Sequence, residues 1–168
     1  MTDRAERVPG LSAAGDTRRM NLTVRSALLS AAIGKASGFR SSIGISVGLL
    51  SWFRGSPYER LAVGGSAVVT AGELVADKLP STPSRLDPGP LGGRILAGAG
   101  GAYAVARALG NDPVPAAVIG GLSAVAGSYA GHAYRGWAST TVPPLAAAVA
   151  EDAVALGIGA AVLAEVRA

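Results

Sequence analysis

The sequence predicts an all-α protein, a polytopic bundle of about five transmembrane helices with a long first segment that either spans once or is broken. Three observations predict it. Hydrophobic residues make up 49% of the 168 positions and charged residues only 15%, against roughly 25% charged in soluble domains. The chain leans on Ala, Gly and Val, with 24 glycines and 5% aromatics. Small side chains suit helices in lipid, where close backbone approach replaces hydrophobic driving force. Finally, the 10 prolines fall between the apolar runs and never inside one, where a helix would resist them most.

Residues 1–21 read as a polar, flexible tail, mixing Asp3, Glu6 and Asp16 with arginines. That is not the basic-then-apolar layout of a signal peptide. Five of the 15 basic residues (Arg4, Arg7, Arg18, Arg19 and Arg25) fall in the first 25 positions, which favours a cytoplasmic tail by the positive-inside rule. Residues 22–168 are expected to form the transmembrane helical domain.

The first apolar run, Leu22 to Phe53, would reach ~48 Å as one straight helix, too long for a simple span. A break at "GKASGFRSS" would leave a broken helix or two half-length pieces. Four further runs follow: "YERLAVGGSAVVTAGELVADKL", "LGGRILAGAGGAYAVARAL", "AAVIGGLSAVAGSYAGHAYRGWAS" and "LAAAVAEDAVALGIGAAVLAEV". Each is close to the ~20 residues that cross a ~30 Å hydrocarbon layer. No stretch alternates cleanly at period two, so strands are not expected. The pairs Gly34/Gly38, Gly44/Gly48 and Gly127/Gly131, and the series Gly93, Ala97 and Gly101, repeat at intervals of four and fit helix contacts. "GAGGAY" lacks a preceding strand and is not a nucleotide-binding loop.

Topology follows from counting basic residues outside the apolar interiors. A single crossing of the first run puts the tail arginines with Lys78, Arg85, Arg94 and Arg135; a fold-back puts them with Arg54, Arg60, Arg107 and Arg167. Both give nine against four, so the positive-inside rule does not choose. In either scheme the loops at Pro80–Pro90 and Ser139–Pro144 emerge on the same side.

That shared side gathers the embedded charge. Counting from Pro80, Glu73 lies ~10 Å inside its helix, and counting from Pro143, Glu151 and Asp152 lie ~12–13 Å inside theirs. Ser66, Thr70, Glu73 and Asp77 form one helical stripe that should face protein or water. A carboxylate facing hydrocarbon costs about 2.5–3.5 kcal/mol even on the lenient insertion scale. Partners are therefore needed. Arg40, mid-run and flanked by serines, is the first candidate, with Arg94 and Arg135 near the same face. Asp77, Lys78, Arg85 and Arg94 are expected at the membrane–water boundary, where charge is ordinary, and Trp52 and Trp137 read as interfacial anchors.

Other function classes find less support. The net charge of +4 is not clustered into a nucleic-acid-binding stripe, the lack of cysteine excludes thiolate chemistry, and His132 has no ligand-spaced neighbours. No nucleophile–base pair, metal motif or cofactor motif is visible, which leaves an intramembrane enzyme the weaker class.

At "SGFRSS", "AGELVADKLPSTPSRLDPGPLGGR" and "AVAEDAVAL" the chain resembles a bacterial membrane-protein family catalogued as domain of unknown function 4126, over roughly Ala27 to Leu163. Arg40, Glu73, Asp77, Lys78, Pro80, Arg85, Arg94, Glu151 and Asp152 match its pattern. The resemblance implies a multi-pass protein of the bacterial inner membrane and supplies no activity. "GKASGFRSSIGIS" also echoes "GSYAGHAYRGWAS", the kind of internal repeat from which transporters arise.

Together these readings point to a small transporter or channel for an ion, proton or polar solute. Arg40, Glu73, Asp77, Glu151 and Asp152 would bind it, supported by Lys78, Arg85, Arg94 and Arg135. The alternative is a scaffolding membrane protein whose charges only lock helices together. The lipid bilayer, a small solute and further copies of the chain are the expected partners; no nucleic acid is expected.

Overall fold

The computed structural model describes residues 13–76 and 84–168, with side chains from residue 24 onward. The described residues form helices and connections, with six helices in order: α1 (Ala13–Phe39), α2 (Ser41–Trp52), α3 (Glu59–Ala76), α4 (Pro88–Ala108), α5 (Pro113–Ala138) and α6 (Pro144–Arg167). The first run supplies α1 and α2, and each later run supplies one helix. Helix α1 takes in residues 13–21 of the stretch expected as a flexible tail.

Prolines start three of these helices, at the first or second position of α4, α5 and α6. There a missing N–H costs nothing and the fixed φ is already helical. Asp112 completes the start of α5 by accepting from the Val114 N–H at 3.0 Å. Gly55 and Gly110 sit in the connections after α2 and α4 with φ of 69° and 71°, a conformation that a Cβ disfavours.

The break in the first run falls at Arg40, whose backbone is extended, with φ −142° and ψ 116°. The chain folds back there. Along α4, Arg94 reaches the Gly38 and Phe39 carbonyls and Gly98 lies against Gly34, so α1 runs one way. Gly44 lies against Ala97, Gly48 against Gly101, and Trp52 stacks on Tyr103, so α2 runs the other. Each following helix reverses again. Glu73 of α3 meets Ser41 and Ser42 while Ser66 meets Ser46, and Glu151 and Asp152 of α6 meet the Arg40 end while Glu165 meets Arg25. The bundle therefore has an Arg40 end, where α3 and α5 finish and α4 and α6 begin, and an opposite end holding the connections after α2 and α4.

Close approach explains the glycines. A Cβ on Gly38 would meet the Ala124 carbonyl and the Ser128 backbone, and one on Gly34 would meet the Gly120 backbone. The α1–α5 and α2–α4 seams are thus backbone against backbone, as the spacing of four predicts, and the α4–α5 seam closes in the same way at Gly98 and Gly120, outside the predicted series. Gly93, by contrast, faces open space. Helix α5 runs unbroken through Arg135, so the sequence echo of Arg40 has no counterpart in a second break.

The interior is small and partly polar, and the outside is apolar. Ile33, Ala36, Ile43, Val47, Ala102, Val105, Ala155, Val162 and Val166 form the core. Ser30, Ser37, Ser42, Ser128, Arg40, Arg94 and Glu151 are buried with it, while Leu61, Val68, Leu96 and Leu122 are each more than 65% exposed. Among the described residues two helices, α5 and α6, are long and apolar enough to cross a membrane. Helix α3, with Glu59, Arg60 and Glu73, and α4, with Arg94 and Arg107, fall outside that class because embedded charge lowers their hydropathy.

Candidate functional site

The break at Arg40 creates two helix ends inside the bundle, and each needs partners for its orphan backbone groups. Arg40 occupies the N-cap position of α2, but a guanidinium has no acceptor to offer the first N–H groups. Glu73 supplies it from α3. Its carboxylate accepts the Ser41 N–H at 2.9 Å, the Ser42 N–H at 2.8 Å and the Ser41 hydroxyl at 2.7 Å. A negative group at a helix N-terminus also complements the macrodipole.

The C-terminal end of α1 is closed by the opposite charge. Arg94 Nη1 donates to the Phe39 carbonyl at 3.2 Å and to the Gly38 carbonyl at 3.4 Å. Ser128 Oγ adds a donor to Gly38 at 3.3 Å. Arg94 is buried, so it lies inside the bundle and not at a boundary with water. The sequence reading placed Arg94 at the boundary and gave no sign of this capping role.

Around this junction the remaining charges pair across helices. Arg40 Nε bonds Asp152 Oδ1 of α6. Glu151, one residue earlier, is 5% exposed and receives Arg85 Nη1 at 2.5 Å and Arg135 Nε at 2.7 Å. Arg85 comes from the loop before α4, and its side chain, 9% exposed, is turned onto Glu151 rather than solvated at the boundary. Gly131 makes this possible, since a Cβ there would lie 2.5 Å from Arg85 Nη1 and 3.1 Å from Glu151 Oε1. That glycine was expected to serve helix packing, and it does so against Phe39 of α1, 3.1 Å from where a Cβ would lie; the same bare surface also clears a path for the ion pair.

The Arg40 end thus collects Arg40, Glu73, Arg85, Arg94, Arg135, Glu151 and Asp152. The expected direct meeting of Arg40 with Glu73 and Glu151 is replaced by a division of partners in which Asp152 takes Arg40. Asp77, Lys78 and Pro80 lie outside the described residues. His132 is on the exposed face of α5. Among the described residues no group of three or more His, Cys, Asp or Glu is arranged to hold a metal ion.

Two features give this end access and extension. A hollow of ≈ 330 Å³ between α1, α5 and α6 is lined by Lys35, Phe39, Tyr134, Glu151 and Val154, so Glu151, its side chain 2% exposed, borders a cavity. A polar seam also runs inward from Glu73 between α2 and α3. Ser46 Oγ lies 3.2 Å from Thr70 Oγ1 and donates to the Ser66 carbonyl at 3.4 Å. The stripe of Ser66, Thr70 and Glu73 thus faces protein, as its spacing predicts. At the opposite end, Arg25 pairs with Glu165, Arg54 caps the last carbonyls of α6, and Arg107 stacks over Trp52 at 4.5 Å. No family model, curated protein or solved structure matches the chain.

Proposed function

We propose that the chain is a multi-pass membrane protein and a small transporter or channel for an ion, a proton or a small polar solute. The observation that carries this reading is the inverted distribution of side chains. Arginine, glutamate and serines are buried while leucines and valines cover the outside of α3, α4, α5 and α6. In water such a surface is an extended apolar patch; in lipid it is the expected exterior, with ionisable groups turned inward and paired.

On this reading the bundle belongs to the membrane family catalogued as domain of unknown function 4126 and sits in the bacterial inner membrane. The fold-back at Arg40 corresponds to the scheme that groups the tail arginines with Arg54, Arg60, Arg107 and Arg167. By the positive-inside rule that face is cytoplasmic, and the Arg40 end faces away from the cytoplasm. Glu151, in the wall of a cavity, and Glu73, at the head of the hydroxyl seam, are the groups that exchange a proton or cation. Broken helices and their ends hold ions in many transporters.

The test is flux into proteoliposomes across a panel of ions, which should fall on Glu73→Gln or Arg40→Ala while the bundle stays folded. A second reading has its own support. Glu73, Glu151, Asp152 and Arg94 each already sit on protein partners, the arrangement of a structural lock. That reading expects the variants to lose folding before flux, and a charge-free, volume-matched replacement of the whole cluster to keep function.

A further inference from the structure

The hollow between α1, α5 and α6 contains a cation that the fold leaves unmatched. Lys35 lines it, with Phe39, Ala130 and Val154 as apolar wall and Glu151 as the acid. Lys35 stands on α1 ten residues after Arg25 and five before Arg40. At 1.5 Å per residue it lies ~15 Å from the Arg25 end and ~7–8 Å inward of the Arg40 break. That is the middle of the bundle, where a charge surrounded by lipid is costly unless something meets it.

The neighbouring embedded charges are all met. Arg40 has Asp152, Arg94 has the Gly38 and Phe39 carbonyls, and Glu73 has the α2 N-terminus. Glu151 is held by Arg85 and Arg135, one on each oxygen, so it already answers two cations. Lys35 has no ion-pair or hydrogen-bond partner among the described residues. Around the hollow, Lys35, Arg85 and Arg135 therefore outnumber the single carboxylate of Glu151, and the surplus is positive. The ≈ 330 Å³ of space beside Lys35 falls within the roughly 300–1,000 Å³ of small-molecule sites, which are mostly apolar with a few placed polar groups.

We propose that this hollow binds a small organic anion, a carboxylate on an apolar or aromatic body. Its charge meets the Lys35 ammonium, and its body lies against Phe39, Ala130 and Val154. The positive surplus disfavours a cation. An anionic lipid headgroup stays at the membrane surface, whereas Glu73 is already ~10 Å inside and Lys35 lies deeper still, beyond what a lysine side chain spans. The inference rests on the membrane reading above and narrows its solute to an anion.

The experiment is ligand-observed fluorine NMR on the full-length chain in phosphatidylcholine nanodiscs, with three probes of one shape and different charge. The signal of 4-fluorobenzoate should broaden and recover on adding unlabelled benzoate, while 4-fluorobenzamide and 4-fluorobenzamidine should not respond. Lys35→Met should weaken benzoate binding at least about tenfold, the lower end for a hydrogen bond to a charged group, and Lys35→Arg should keep it. Lys35→Met should melt no lower than the parent, because it removes an unmatched embedded charge. Ala130→Phe, filling the hollow with Lys35 in place, should abolish binding. Adding phosphatidylglycerol to the nanodiscs should leave benzoate binding unchanged. An equal response from the benzamide would overturn the proposal, as would binding that ignores both Lys35→Met and Ala130→Phe. Loss of binding in phosphatidylglycerol, meaning a lipid headgroup on Lys35, would overturn it too, and so would a melting temperature lowered by more than about 5 °C in Lys35→Met, meaning a structural partner for the lysine. Binding is read without any gradient: flux can fail with benzoate bound, and binding can fail in a chain still embedded in the membrane, so the two readings are decided separately.

Discussion

Replacing Glu73 with alanine would strip the α2 N-terminus of its only described side-chain acceptor. Three hydrogen bonds vanish together, two of them from backbone N–H groups at the start of the helix and one from the Ser41 hydroxyl. Ser42 is 1% exposed, so water cannot readily replace the acceptor there. An orphaned buried donor costs about 1–3 kcal/mol, and an ordinary lost cap about 0.5–2 kcal/mol. Taking one fully buried and one partly solvated N–H, Glu73→Ala should cost about 3–4 kcal/mol. At about 2–4 °C per kcal/mol for a chain of this size, the melting temperature should fall by about 6–16 °C. Glu73→Gln keeps one acceptor oxygen and loses the charge, so its cost should be about 1–2 kcal/mol. Thermal melts followed by far-UV circular dichroism give both shifts. Amide exchange at Ser41 and Ser42 should accelerate in the alanine variant before the core opens. The reasoning fails if Glu73→Ala melts within 1 °C of the parent, or if glutamine and alanine are indistinguishable.

Other outcomes follow from the same geometry. Glu151→Gln leaves Arg85 and Arg135 facing each other without their shared anion, and should destabilise by about 3–5 kcal/mol in chemical unfolding. Arg135→Gln should cost no more than about 1 kcal/mol, because that side chain is 37% exposed and Arg85 still holds Glu151. Gly38→Ala drives a methyl into the α5 backbone and should prevent recovery of a monodisperse bundle on size exclusion. Gly64→Ala, where the space is open, should instead raise the melting temperature, alanine being about 1 kcal/mol the better helix former.

Much of the fold was legible because length and proline position constrain helices strongly. The first run was too long to be one span, and the break falls where "GKASGFRSS" placed it. The four later runs became α3 to α6, with prolines in the opening turns of three. The charged end was legible for a related reason, since depth along a helix follows from counting residues. Partner choice was not. It depends on how each helix is rotated, and a helix such as α6, apolar on nearly every face, gives no amphipathic signal to fix rotation. Hence Glu151 and Asp152, adjacent in sequence, turn toward different arginines. Arg85 was assigned to the boundary because nothing in its loop shows that Gly131 leaves room for it. The sequence offered Arg40 only as a charge partner for the embedded acids near a break; that it sits at an N-cap, answered by Glu73 and Arg94, comes from the fold.

The central claim is that lipid surrounds this bundle and forces its charges into one sheltered end. The chain contains no cysteine, so single substitutions can report on each surface separately. Val68→Cys, Leu96→Cys and Leu122→Cys place thiols on exposed apolar positions of three helices. In sealed membranes treated with a membrane-impermeant maleimide, these thiols should stay unlabelled until the bilayer is dissolved, and the protein should remain with the membrane through alkaline carbonate. Rapid labelling of all three in a chain that purifies as a soluble monomer without detergent would contradict the account.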